Sequence, residues 1–355
     1  MKKHNFSAGP CILSQSVFQK ASEAVLNFNG IDLSILEISH RSKDFVEVMD
    51  MAQALALEHL QLENKGYKAL FLQGGASMQF LMAAYNLLEK KAAYLNTGTW
   101  SSKAIKEAKL FGELVEVSSS KDQNFNYIPK NYSIPSDADY FHCTSNNTIF
   151  GTQMKSFPET DIPLVCDMSS DIFSRELDFS KFDLIYAGAQ KNMGPAGTTL
   201  VVVKEEILGK VSRQIPSMLD YQVHIGKDSM FNTPAVFSVY VSMLTLKWLK
   251  DQGGIKAIQK KNEEKAALIY REIDRNPLFT GFVANKEDRS TMNATFNLTD
   301  ESLSETFNNL WKDAGVNGLN GHRSVGGYRA SMYNALPIES VQVVVDTMRE
   351  LEKRA

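Results

Sequence analysis

The feature that most constrains this chain is a unit that recurs through its first half: a short apolar run, a turn of small residues, then a helical pattern. Residues 67–73 read as a strand that meets Gly74-Gly75-Ala76-Ser77, and a helix is predicted over 78–90. Residues 92–96 repeat the scheme, with Thr97-Gly98-Thr99-Trp100 as the turn and 101–110 as the helix. Further strands are expected over 140–143, 162–167, 183–187 and 198–204. Strands that alternate with helices in this way build a largely parallel sheet, so the expected fold class is α/β. In such sheets ligands collect beyond the carboxyl ends of the strands, which is where these small-residue turns lie.

The pattern changes after Asp251-Gln252-Gly253-Gly254. A charged amphipathic helix is predicted over 255–275, closed by Asn276-Pro277; a strand follows over 292–298, a helix over 304–313, a glycine-rich stretch over 315–327 and a last helix over 338–352. The 355 residues suit two domains at about 150 residues each. We expect a large domain over 16–254, a smaller C-terminal α+β domain over 255–355, and a segment 1–15 that packs on them. A content of 43% hydrophobic and 22% charged residues excludes a disordered or fibrous class. With 38 basic against 41 acidic residues and no basic stripe, no nucleic-acid partner is expected. No uncharged apolar run approaches the ~18 residues of a membrane span, and no apolar stretch follows the basic start as in a secretory signal. Cys11, Cys143 and Cys166 form no CxxC pair, which fits a reducing compartment, and the expected location is the cytoplasm.

Chemistry concentrates at the ends of two predicted strands. Tyr186-Ala187-Gly188-Ala189-Gln190-Lys191 carries a single lysine among small residues. Partial desolvation there disfavours the charged amine, and a neutral amine is what attack on a carbonyl to form a Schiff base requires. Asp167 ends the strand before it, so its carboxylate is expected at the same sheet edge, where it can keep a pyridine nitrogen protonated. A lone lysine in such a loop is usually solvated and a lone aspartate is often a helix cap; the order strand–Asp–strand–Lys is the stronger signal. Gly74-Gly75-Ala76-Ser77 opens a helix whose free N–H groups suit an anion, and neither GxxxxGK[ST] nor GxGxxG is present to favour a nucleotide. Trp100 can stack on a flat ring. His40-Arg41 and the stretch from His322-Arg323 to Arg329 supply cations among small residues, the pattern expected for a substrate with more than one anionic group. The six histidines show no metal-ligand spacing, so no metal is expected.

Taken together, Asn5-Phe6-Ser7-Ala8-Gly9-Pro10, Ser39-His40-Arg41, Asn147-Thr148-Ile149-Phe150-Gly151, the Tyr186–Asn192 stretch, Met230-Phe231-Asn232-Thr233-Pro234 and Gly321-His322-Arg323 through Arg329-Ala330-Ser331 resemble the phosphoserine aminotransferase family. That family belongs to class V of the fold type I enzymes dependent on pyridoxal 5'-phosphate (PLP), and the resemblance spans essentially the whole chain. It implies a mostly parallel seven-stranded sheet flanked by helices, with a smaller α+β domain. It implies Lys191 as the residue bonded to PLP and as proton shuttle, with Asp167 at the pyridine nitrogen, Trp100 on the ring and Thr148 near the ring hydroxyl. Ala76, Ser77 and Gln190 are then expected at the cofactor phosphate, joined by Asn232 and Thr233 from a second copy, which makes a homodimer with shared sites. Arg329 is expected to take the substrate α-carboxylate. His322, Arg323 and Arg41 are expected to take the distal phosphate or carboxylate, some of them across the interface between copies, with Ser7 near the substrate. The implied reaction moves the amino group of L-glutamate to 3-phosphohydroxypyruvate, giving O-phospho-L-serine and 2-oxoglutarate; the phospho-oxo acid of pyridoxine biosynthesis is a second candidate acceptor. One departure stands out: some relatives carry an arginine directly after the glycine run, where this chain has Ala76-Ser77, so its phosphate pocket leans on His322, Arg323 and Arg41.

Three other readings remain. Another class V transaminase would share Lys191 and Asp167. A desulfurase would need a mobile cysteine, and Cys11, Cys143 and Cys166 are assigned to an N-terminal segment and two strands. A non-catalytic anion-binding protein could keep the same fold.

Overall fold

A computed structural model describes residues 3–355. In chain order the elements are β1 (His4–Asn5), α1 (Gln15–Leu26), α2 (Lys43–Leu60), β2 (Tyr67–Leu72), α3 (Gly75–Leu87), β3 (Lys91–Asn96), α4 (Thr99–Ala108), β4 (Glu113–Ser119), β5 (Phe141–Thr144), β6 (Leu164–Asp167), β7 (Leu184–Gly188) and β8 (Thr199–Lys204). After these come α5 (Tyr221–Ile225), α6 (Val236–Asp251), α7 (Gly254–Arg275), β9 (Phe279–Gly281), β10 (Asn293–Leu298), α8 (Ser304–Asp313), β11 (Val316–Asn317), β12 (Tyr328–Ser331) and α9 (Ile338–Arg354).

Seven strands form one sheet in the order β2-β8-β7-β6-β5-β3-β4. Every neighbouring pair is parallel except the two made by β8, which runs against both β2 and β7. The chain is therefore α/β with a mostly parallel seven-stranded sheet flanked by helices. Strands β5, β6 and β7 are buried along their whole length, which is why they read as mostly apolar runs and not as alternating ones. One face of the sheet packs under α1, α2 and α6 through residues such as Phe45, Met49, Cys143, Cys166 and Ile185. The other packs under α3 and α4 through Phe80, Ala104, Tyr94, Val165 and Tyr186. A third core joins α7, α8 and α9 to the antiparallel sheet β12-β10-β9 and takes in Phe6 from the beginning of the chain. Strand β1 pairs in parallel with β11, which ties that beginning to the same region.

Helix α3 begins at Gly75, three residues before the predicted start. Gly74 takes a left-handed φ of 93° as the cap, and a β-carbon there would sit 2.5 Å from the β-carbon of Met78. Only glycine accepts both conditions, so the turn is tighter and the helix opens earlier. Because β2, β3, β5, β6 and β7 all run the same way, their carboxyl ends line one edge of the sheet. Gly74-Gly75, Thr97–Trp100, Ser145–Thr148, Asp167 and Lys191 all lie along that edge.

Candidate active site

Asp167 is the last residue of β6 and is 4% exposed; its Oδ1 accepts the N–H of Ser169 at 2.9 Å. Burial raises its pKa, against the opposing pull of the Lys191 charge. Lys191 follows the end of β7 in a turn closed by the N–H groups of Met193 and Gly194 on the carbonyl of Ala189. Burial lowers the pKa of its amine, Asp167 raises it in part, and the Arg329 charge lowers it again. The two opposite charges support each other, while each is pushed toward neutrality by its own desolvation. No ion pair joins them among the described residues, and the Lys191 Nζ instead donates to the Thr148 Oγ1 at 2.9 Å.

Thr148 is the point where the site converges. Its hydroxyl receives Lys191, and its carbonyl receives the Arg329 Nη1 at 3.2 Å from β12. The turn that carries it is locked by the N–H of Asn147 on the Thr152 carbonyl and by the N–H of Gly151 on the Asn147 carbonyl, both at 2.8 Å. Gly151 has φ +81°, and a β-carbon there would strike the Thr295 Oγ1, so the turn presses closely against β10. Arg329 sits opposite Thr295 in the β10–β12 pairing. Burial lowers its pKa, and its Nε is buried without a partner.

Trp100, in the first turn of α4, is half-buried with its ring centroid 5.5 Å from the Lys191 Nζ, and its Nε1 is buried with no partner. The loop before it approaches Asn147 so closely that a β-carbon on Gly98 would stand 2.6 Å from the Asn147 Oδ1, itself unpartnered. Ala76 and Ser77 lie in the first turn of α3, whose early N–H groups have no partner within the helix. Nothing would meet a β-carbon on Gly75 within 4 Å, so space opens in front of that helix end. Gln190 adjoins Lys191, and a β-carbon on Gly188 would lie 2.7 Å from its Oε1.

The structure thus brings Lys191, Asp167, Thr148, Trp100, Gln190 and Arg329 together at the edge where Ala76 and Ser77 begin α3. His322 is half-buried and bonded to Ser324, and its pKa is lowered by burial and by the charges of Arg329, Arg323 and Lys103. Arg323 is exposed. Arg41 is exposed ahead of α2, its N–H on the Ser39 Oγ. The Asn317 Nδ2 donates to the Ser7 Oγ at 3.4 Å, next to β11. Asn232 and Thr233 lie in the loop before α6, with the Thr233 carbonyl receiving the Gln73 Nε2 at 2.7 Å. Neither Arg41 nor Asn232 makes a hydrogen bond or ion pair with Lys191, Asp167 or Arg329 among the described residues.

Two neighbours of Lys191 escape sequence reasoning. The Cys11 thiol, assigned only to an N-terminal segment, donates to the Lys191 carbonyl, and burial pushes its pKa up to about 12. Cys143 and Cys166 are buried in β5 and β6, fixed within the sheet and not on a mobile segment such as a desulfurase requires. Gly9 packs against the Lys191 Cγ. Only the small residues of Ser7-Ala8-Gly9 hint at so close an approach. Among the described residues there is no group of three or more metal-ligating side chains, and no helix is long and apolar enough to cross a membrane.

The family described as Aminotransferase class-V matches residues 3–344. A relative from Flavobacterium johnsoniae, named phosphoserine aminotransferase, is 72% identical over 356 aligned residues, covering all of both chains. Two solved structures are similar throughout. Phosphoserine aminotransferase from Bacillus circulans subsp. alkalophilus has a TM-score of 0.96 at 42% identity over 99% of both chains. PLP-bound phosphoserine aminotransferase from Trichomonas vaginalis has a TM-score of 0.93 at 34% identity, over 98% of this chain and 100% of that one.

Proposed function

The chain belongs to the class-V aminotransferase family, and from that premise we propose that it is a PLP-dependent transaminase moving the amino group of L-glutamate to 3-phosphohydroxypyruvate. The products are 2-oxoglutarate and O-phospho-L-serine, a step of serine biosynthesis. The observation that carries this reading is the convergence on Thr148 of a desolvated lysine and a half-buried arginine, with Asp167 held near them.

The residues present fit PLP. Trp100 Nε1, Asn147 Oδ1 and Thr144 Oγ1 are buried polar atoms without partners, and the open start of α3 suits a phosphate. When bound, that group supplies an aldehyde that captures amines and a ring that accepts electrons from a cleaved C–H bond. Lys191 is the residue that would carry it, Asp167 would face its ring nitrogen, Trp100 its ring and Thr148 its hydroxyl. The N–H groups of Ala76 and Ser77, with Gln190, would hold its phosphate, completed by Asn232 and Thr233 of a second copy.

Desolvation keeps the Lys191 Nζ able to exist neutral, so it can take a proton from a substrate α-carbon and return it. Arg329 orients that carbon by binding the α-carboxylate with donors that Thr148 leaves free. His322, Arg323 and Arg41 receive the distal anion, and Ser7 lies beside the substrate. Both substrates carry an α-carboxylate and a distal anion, so one set of cations serves both. We propose a homodimer in the cytoplasm, with 16–254 as the cofactor-binding unit, 255–355 as the smaller unit and 1–15 packing on them. The test is a panel of amino donors and oxo acceptors on the purified holoprotein. L-Glutamate with 3-phosphohydroxypyruvate should turn over, and hydroxypyruvate should be a poor acceptor; a preference for hydroxypyruvate, or no turnover, would reject the assignment.

A further inference from the structure

Arg329 lies in β12 of the antiparallel sheet and Lys191 just after β7 of the seven-stranded sheet, yet the chain segments that carry them are locked together a few residues away by polar groups. Just past β12, the carbonyls of Met332 and Tyr333 accept from the Lys265 Nζ at 3.0 and 2.7 Å. Lys265 lies in α7, is 1% exposed, and the charge that acts on it is another cation, Lys261. The next residue, Asn334, donates its N–H to the Asn192 Oδ1 at 2.9 Å, and Asn192 directly follows Lys191. The Asn334 side chain donates to the Phe173 carbonyl at 3.0 Å and accepts from the Asn262 Nδ2 at 2.8 Å. Asn192 in turn donates to the Ile172 carbonyl at 2.5 Å, and Asn262 to the Ser174 carbonyl at 3.1 Å. The Tyr333 hydroxyl donates to the Ala8 carbonyl at 2.7 Å, one residue before the glycine that packs on Lys191.

A lysine buried without a carboxylate is costly, and an apolar side chain would fill the place at less expense. What the lysine adds is direction. It fixes two successive carbonyls and therefore the exit of the strand that holds Arg329. Among the described residues Lys265 makes no ion pair, and its amine is turned to two backbone carbonyls, away from any role as a second Schiff-base lysine. We propose that Lys265 and Asn334 are positioning residues that hold the Arg329 guanidinium in register with the Lys191 amine. The inference rests on the reading that Arg329 binds the α-carboxylate.

The test uses the holoprotein with Lys265→Met, which keeps the length of the side chain, and Asn334→Ala as a second variant should the first fail to fold. A misplacement of up to about 1 Å should raise KM for L-glutamate and for 3-phosphohydroxypyruvate alike, by about tenfold to a hundredfold. The visible spectrum and the affinity of the apoprotein for PLP should stay as in the parent, since Lys191 and Asp167 keep their places. In an Arg329→Lys background the Lys265→Met effect on KM should vanish, because the residue it acts through is already changed. Lower thermal stability with both KM values unaltered would overturn the proposal, and so would an effect that adds in full to that of Arg329→Lys. A parent protein that turns over neither substrate would instead mark failure of the functional reading, which the parent assay separates from failure of the positioning role.

Discussion

Replacing Arg329 by lysine keeps a positive charge at the carboxylate site and removes the fork. The guanidinium offers five N–H donors in one plane, of which Nη1 is engaged by the Thr148 carbonyl and Nε is buried without a partner. Donors therefore remain for both oxygens of a carboxylate while the tie to Thr148 is kept. A lysine ammonium has one nitrogen and, in a half-buried site, a charge that desolvation disfavours. It can hold the carbonyl or meet the carboxylate, but not with the same geometry. Losing one charge-assisted hydrogen bond costs about 1.5 to 3 kcal/mol, which is between about tenfold and 150-fold in affinity. The two half-reactions should be followed separately by single-turnover absorbance, with L-glutamate on one form of the enzyme and 3-phosphohydroxypyruvate on the other. Both apparent affinities should fall by similar factors, since the α-carboxylate is common to both. If one substrate weakens and the other does not, the shared α-carboxylate role of Arg329 is refuted.

Lys191→Ala should abolish turnover and leave no adduct on residue 191 after borohydride reduction and peptide mass mapping; a variant that still cycles removes the lysine assignment. Asp167→Asn takes away the charge that raises the Lys191 pKa, so in the apoprotein Lys191 should be labelled faster by an amine-reactive reagent at neutral pH, and an unchanged rate would contradict the coupling. Burial lowers the Lys265 pKa from 10.5 to about 7, so between those values the unfolded chain binds the extra proton and stability rises with pH. At up to about 1.4 kcal/mol per pH unit, denaturant melts of the parent should gain about 2 kcal/mol from pH 7 to 9 relative to Lys265→Met. Parallel pH profiles for the two proteins would show that Lys265 is not titrating in the fold.

The strand ends that carry the chemistry were legible because glycine and small residues mark close backbone approach and because β5 to β7 are buried throughout and mostly apolar. Helix α8 has the predicted bounds, set by its amphipathic spacing. Helix α6 escapes the strand–turn–helix scheme, being apolar on nearly every side from Val239 to Leu246 and buried there without a polar stripe. Strand β4 is missed because it is an edge strand carrying Glu113 and Glu116. Lys265 looks like one more charge on a solvated helix, since nothing local tells that two carbonyls from beyond β12 will receive it. Nor do residues near Cys11 reveal that it will meet Lys191, a contact set wholly by tertiary packing.

His4 and Asn5 find their pairing partners in Val316 and Asn317, and Ala8 meets a hydroxyl from Tyr333. On the ribosome His4 and Asn5 therefore have no strand to pair with until residues 316 and 317 have emerged. A nascent protein that has reached only residue 315 would hold a finished seven-stranded sheet, yet lack both Arg329 and the partners of its own first strand.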